Sequence, residues 1–534
     1  MVFDDDVIKI RRGLARYTTG SVVTLLLKRL HADYADQPRA YARPWVTCLL
    51  LEWAFEVKPN KGAVEATSDD VYKLLNKVWE LQSLALSIEA TDRPWLPLRS
   101  FMLTQLRFQQ SQQIHIHFLA RLYAIMCKMD QSTILDVSFE KDTGIKLYDF
   151  FVISGILISF FLKKNSVLLK YSDLLVMLHP AYSIDTIIRV LSVLGGNERE
   201  IKSYYEDFRE NYGKVRKEEY FAEPKLLKFP LFLLPEGLST AHSYVATIGI
   251  SEFVLRTLKN SNPQSFRQKF TRLFENYMSV VFKENNCSIV KEVDLKQFYK
   301  EKQIQGRVVD FLYNDGQNSV FIDAKGVEPK EKALTTDNPA LIKNMLRDIH
   351  IKGIRQAADC VALLEKSNYA GLANKENRYA LIVTHQDFYL SDGIQLKQYF
   401  EEKEYQSKVI DVVASRIPEE NIHFCSIAEL EGILCLCEKL QTVNLGDFMK
   451  FCTVNNSKFE TRMFEMRQHI ESFAEEKGIQ VSTPIGTDFS TKEFSKLMDV
   501  TVEKIEFSKN YWRVDGINKI PEFMKKLNLI KIIS

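Results

Sequence analysis

Up to about residue 255 apolar side chains recur every three or four positions, as in VVTLLLKRLHADY, VYKLLNKVWELQSLAL and LLVMLHPAYSIDTIIRVLSVLGG. That is the period of helices burying one face. Strand-like alternation is scarce, no fixed-length repeat recurs, and breaks fall at 57–70, at Gly195-Gly196-Asn197 and at 224–235. The most apolar run, Phe150 to Leu162, has 13 residues, against about 20 for a bilayer span. It reads as a buried core helix whose C-terminus meets Lys163 and Lys164, where cations suit the helix dipole.

Between about 260 and 440 the texture changes. A long helix is predicted around Phe266 to Lys283, followed by the β-rich runs SIVKEVDL, GRVVDFLYN, NSVFIDAK, RYALIVTH and NIHFCSI among helical stretches, the mark of an α/β domain. Beyond lie a predicted helix around Phe459 to Glu476, a Ser490-to-Glu493 capping box before another, and mixed strand and helix signals. The expected layout is multidomain: an all-α N-terminal half over 1–255, an α/β core with a mixed sheet over 256–440, and a small α+β region over 441–534.

With 46% apolar and 26% charged residues in 534, the chain has a globular composition, which excludes a disordered or fibrous protein. Seventy-one Lys plus Arg against sixty-nine Asp plus Glu leave a net +2, so a basic surface must be local. One exists: residues 256–356 hold eighteen Lys plus Arg and twelve Asp plus Glu, an excess suited to a phosphate backbone. Eight scattered cysteines fit reduced thiols, and the opening MVFDDD lacks the order of a secretory signal. A cytoplasmic protein with no membrane span is expected.

The chemistry-bearing stretch is GRVVDFLYNDGQNSVFIDAKG. Asp310 and Asp323 belong to successive β-rich runs joined by Asn314-Asp315-Gly316, a strong hairpin signal. Pairing the strands brings the two carboxylates together. Period-two alternation then puts Asp323 and Lys325 on one face, with Ala324 pointing away. Two convergent carboxylates suit Mg²⁺ or Mn²⁺, and a neighbouring lysine can orient or deprotonate an attacking water.

Asp310 followed by Asp323-Ala324-Lys325 resembles the signature of the PD-(D/E)XK nuclease superfamily. Two further features match: Glu275 on an upstream helix, and Lys352 and Gln356 one turn apart on the helix after the Asp-x-Lys strand. The likeness covers roughly 260–440, and Val309 stands where many members carry proline before the first acid. It implies a restriction-endonuclease-like core hydrolysing phosphodiesters of nucleic acid, DNA ahead of RNA. By the resemblance Asp310, Asp323 and the Ala324 carbonyl are metal ligands and Lys325 positions or activates water. Glu275 is assigned to a second metal or to orienting Lys325, and Gln356 to supporting the lysine or contacting phosphate.

The long connection after Lys325 offers Lys330, Lys332, Lys343 and Arg347 for phosphate, as a lid or as a poorly ordered insertion. His115 with His117 is set aside as a metal site because the surrounding helix puts them on different faces, and His423 with Cys425, Cys435 and Cys437 because Cys-x-Cys in ILCLCEKL lies inside an amphipathic helix. The C-terminal FSKNYWRVDG reads as half-buried strand before it reads as a base-stacking platform. No phosphate-binding Gly-x-x-x-x-Gly-Lys loop occurs. By layout the chain is expected to be an effector in bacterial anti-phage defence whose helical half senses a trigger or partner protein. The alternative is a non-catalytic nucleic-acid-binding or protein-sensing scaffold on a degenerate nuclease fold.

Overall fold

The computed structural model describes residues 3–32, 43–86, 95–109, 112–129, 134–162, 167–327, 336, 338–413, 415–479, 488–514 and 516–534. They divide into two units: Met1–Tyr123, Asp130–Pro263 and Glu493–Ser534 in the first, and Ala124–Met129 with Gln264–Lys492 in the second. The chain thus leaves the first unit at Pro263 and re-enters it at Glu493.

The first unit is mainly helical. Its helix Pro44–Glu56 is buried from Trp45 through Phe55, and the apolar run at 150–162 forms most of the buried helix Leu147–Phe161. Lys163 and Lys164 lie outside the described residues. Among the described residues no single helix is long and apolar enough to cross a membrane.

The expectation of an all-α half needs correction. Four short strands, in the order Leu169–Lys170, Gly237–Ser239, Leu231–Leu234 and Gly195–Gly196, form a small mixed sheet. Of these only Gly195–Gly196 and Leu231–Leu234 fall at breaks in the helical pattern. Leu231-Phe232-Leu233-Leu234 is apolar throughout and mostly buried, so it has no alternation to read. Gly195 pairs with Leu231 because it lacks a side chain: a Cβ there would sit 2.6 Å from Leu233.

The C-terminal α+β region is also corrected. Among the described residues of 441–534 the elements are helical, Leu445–Asn456, Met466–Glu476, Asp488–Arg513 and Ile520–Lys531, with a 3₁₀ turn at Phe459–Thr461. The first two helices belong to the second unit; the third passes into the first at Glu493, and the fourth lies in the first. Ser490 lies inside the first turn of its helix rather than capping it. FSKNYWR is helical because its aromatic groups find partners there: Trp512 donates to the His179 carbonyl at 2.9 Å, and Tyr511 donates to Glu522 at 2.9 Å. Such packing overrides strand propensity.

In the second unit, helix α1 (Pro263–Glu284) precedes strand β1 (Ile289–Lys291) and helix α2 (Glu292–Glu301). The expected strand over 288–295 stops at Lys291, whose N–H donates to Asp294 at 3.1 Å and opens α2. Strands β2 (Phe311–Asn314) and β3 (Ser319–Lys325) form the hairpin. Then come α3 (Pro339–Leu346), α4 (Lys352–Lys366), β4 (Arg378–Thr384), β5 (Ile422–Ser426) and α5 (Ile427–Leu440). The five-stranded sheet runs β1-β2-β3-β4-β5, antiparallel across the first three strands and parallel across the last three.

Asp315 closes the hairpin by accepting the N–H groups of Gln317 at 2.8 Å and Asn318 at 2.6 Å, and Gly316 takes φ +86°. The long connection after Lys325 is not structureless, since α3 and a π-turn at Arg347–Ile351 occupy its second half. Lys330 and Lys332 lie outside the described residues.

Candidate functional site

The β2–β3 ladder ends at the pair Phe311–Ile322. Beyond it the N–H of Ala324 points toward the β2 edge and donates to Asp310 Oδ2 at 2.6 Å. Asp310 therefore extends the ladder with its side chain. Its own carbonyl accepts the N–H of Glu292 at 2.9 Å, tying it to the start of α2. A residue in a strand turns its N–H and C=O to the same edge, so the Ala324 carbonyl shares the Asp310 edge. The Lys325 carbonyl turns the other way and accepts the N–H of His385 at 3.1 Å.

On the opposite alternation, Asp323 is fully buried and its Oδ2 lies 2.5 Å from Lys325 Nζ, which stays partly exposed. Asp323 Oδ1 is buried with no hydrogen-bond partner. A buried carboxylate oxygen left without a partner is costly. Asp310 feels the resulting crowding: burial and then the Asp323 charge push its carboxyl up to about 8, against the pull of the Ala324 N–H. Glu275, half-buried on α1, is pushed up by burial and by the charges of Glu292 and Asp323, while Lys325 draws it down. It stands at the electrostatic edge of the two aspartates.

Among the described residues no three His, Cys, Asp or Glu side chains converge as a ready-made metal cage. A hard cation needs less: Mg²⁺ is commonly held by one or two carboxylates and completes its shell with water and substrate oxygens. The unpartnered Asp323 Oδ1, the Asp310 carboxylate and the Ala324 carbonyl edge fit that donor set. Glu275 adds negative potential to it.

Gln356 lies on α4. Its Nε2 donates to the Val308 carbonyl at 2.6 Å, bracing the segment that leads into Asp310. Lys352 is exposed, Lys343 is paired with Glu404 at 2.8 Å, and Arg347 is exposed beside Asp348 at 3.3 Å.

Three residues at the site went unnoticed in the sequence. Gly353 on α4 faces Asp323, and an isolated Gly in a helical pattern was the available signal. His350 is buried between the rings of Phe388 and Phe424, at centroid distances of 5.0 and 4.8 Å. Burial and then the Lys325 charge lower it to about 3. His385 packs edge-on against Phe270 at 5.0 Å and Phe274 at 6.0 Å, joining the end of β4 to the helix that carries Glu275. Nothing local marked either histidine.

The His423, Cys425, Cys435 and Cys437 grouping forms no metal site among the described residues, and the His115 side chain lies outside them. His423 bonds to Thr453 Oγ1 at 3.0 Å, Cys435 and Cys437 lie on α5, and no disulfide forms among the described cysteines. Comparison with protein-family models, curated proteins and solved structures finds no match to this chain.

Proposed function

We propose that the unit spanning 264–492 is a divalent-metal-dependent nuclease, with DNA its first expected substrate. The observation that supports this most is the meeting of Asp310 and Asp323-Ala324-Lys325 at the ends of two paired strands, with one carboxylate oxygen of Asp323 buried and unpartnered. Asp310, Asp323 and the Ala324 carbonyl would hold Mg²⁺ or Mn²⁺, which when bound supplies Lewis-acid polarisation of the phosphodiester and a more acidic water.

The protein's own contribution follows from charge. Lys325 brings a partly exposed ammonium to the buried Asp323, where it can orient the attacking water or neutralise charge building on phosphate oxygens. In the metal-free state burial and the Asp323 charge favour the protonated form of Asp310, which must lose its proton to act as a ligand. The basic excess over 256–356 favours a phosphate backbone and makes binding salt-sensitive. We extend the reading to an effector in anti-phage defence with residues 1–255 as sensor, by analogy of layout.

The test is incubation of the full-length protein with supercoiled plasmid or single-stranded RNA, with Mg²⁺, Mn²⁺ or chelator. Cleavage that requires metal and drops by at least about 100-fold in both Asp323→Ala and Lys325→Ala supports the proposal. Cleavage surviving both substitutions overturns the site, and tight binding without cleavage favours the scaffold alternative.

A further inference from the structure

We infer that Gly353 is a positioning residue for Asp323: the absence of a side chain lets the α4 backbone lie directly on that carboxylate and set its direction. The inference rests on the metal-site reading of Asp323 and adds a determinant from another element. Asp323 and Ile382 are register partners on β3 and β4, and Gly353 sits over both. A Cβ built on it would lie 2.7 Å from Ile382 Cγ1 and 2.8 Å from Asp323 Oδ2, closer than the 3.0 Å that real Cβ atoms respect. That Oδ2 is the oxygen facing Lys325 Nζ at 2.5 Å. Any side chain at 353 must push the carboxylate away from the lysine or swing its unpartnered Oδ1.

The chain arranges this contact with care. Ahead of the π-turn the buried positions are Ile342, Met345 and Leu346; within it they are His350 and Ile351, and after it Gly353, Ile354, Ala357, Ala358, Cys360, Val361 and Leu364. The π-turn at Arg347–Ile351 takes up one extra residue, which rotates the following helix by about 100°. Beyond it Gly353 lies against the sheet and Lys352 in solvent. Glycine is otherwise the poorest residue after proline for a helical run, so its place here answers to a steric need.

Two neighbours share the space, so the experiment separates them. Full-length Gly353→Ala and Gly353→Ala/Ile382→Ala are compared with wild type and Asp323→Ala. Mn²⁺ affinity is read by titration calorimetry, stability by metal-free thermal unfolding, and nucleic-acid cleavage as a function of Mn²⁺. Gly353→Ala is expected to weaken Mn²⁺ binding about 10- to 100-fold. Its KM for nucleic acid should stay within about twofold, and cleavage should recover as Mn²⁺ is raised.

The double variant relieves the aliphatic crowding and leaves the contact with Asp323, so its Mn²⁺ affinity is expected to stay weak. Wild-type affinity in either variant overturns the assignment. So does failure of both variants to fold, because the constraint is then the packing of the helix on the strand. A wild-type protein that neither binds Mn²⁺ nor cleaves removes the nuclease reading itself and takes this assignment with it.

Discussion

Asp310 holds the backbone of Ala324: the carboxylate Oδ2 accepts the Ala324 N–H at 2.6 Å, just beyond the last paired residues of the hairpin. A side chain that completes a backbone ladder has little freedom. The bond fixes Asp310 beside the Asp323-Ala324-Lys325 strand end and keeps it close enough to the buried Asp323 for that charge to raise it.

Metal binding is therefore expected to release a proton. Burial and then the Asp323 charge push the Asp310 carboxyl up to about 8 in the metal-free protein. A carboxyl raised in the folded state contributes stability below its unfolded value that is lost as pH rises through the folded one. Apparent Mg²⁺ affinity should thus increase as pH rises toward about 8, with proton release visible by calorimetry in buffers of different ionisation enthalpy. Asp310→Asn should abolish that proton release and weaken binding at every pH.

Removing the lysine should destabilise the metal-free protein. Lys325 is the close cation to a carboxylate that is fully buried, and loss of one partner of a buried pair costs about 3 to 5 kcal/mol. Because Lys325 itself is partly exposed, the lower end is expected for Lys325→Ala. Added Mn²⁺ should restore part of the loss in thermal unfolding, since a cation at Asp323 replaces the missing charge.

A second pH dependence belongs to the helical unit. Glu52 is buried, accepts the Leu226 N–H at 3.2 Å, and has Lys225 at 3.9 Å. Burial raises it to about 7. Its contribution is complete below the ordinary carboxyl range near 4.5 and is lost as pH climbs through 7. Relative to wild type, Glu52→Gln should gain stability across that window, by on the order of 3 kcal/mol at pH 8. Paired denaturant titrations at several pH values measure the difference.

Acid should act on the sheet unit through its buried histidines. Burial lowers His423 to about 3 and His469 to about 4, so the stability of the neutral rings is present above the usual histidine range near 6.5 and lost as pH falls below it. Both ring nitrogens of His469 are buried without a hydrogen-bond partner. His469→Leu should stabilise the protein by about 1 to 3 kcal/mol at neutral pH and flatten the acid limb of the stability profile. A loss of stability would show that the imidazole has a partner worth keeping.

Local chemistry accounts for what the sequence determined. Period-two alternation and the Asn314-Asp315-Gly316 turn placed five strands, paired β2 with β3, and put Asp323 and Lys325 on a common face. These features depend on residues a few positions apart, whose geometry the backbone enforces in any context. The short sheet at Leu231–Leu234, the return of the chain to the first unit at Glu493, the bond of Gln356 to Val308 and the approach of Gly353 to Asp323 were decided by tertiary packing. Each depends on which distant surface covers a segment, and a single added residue in the π-turn is enough to rotate a helix from one face to another. Burial between elements far apart in the chain leaves no period to read.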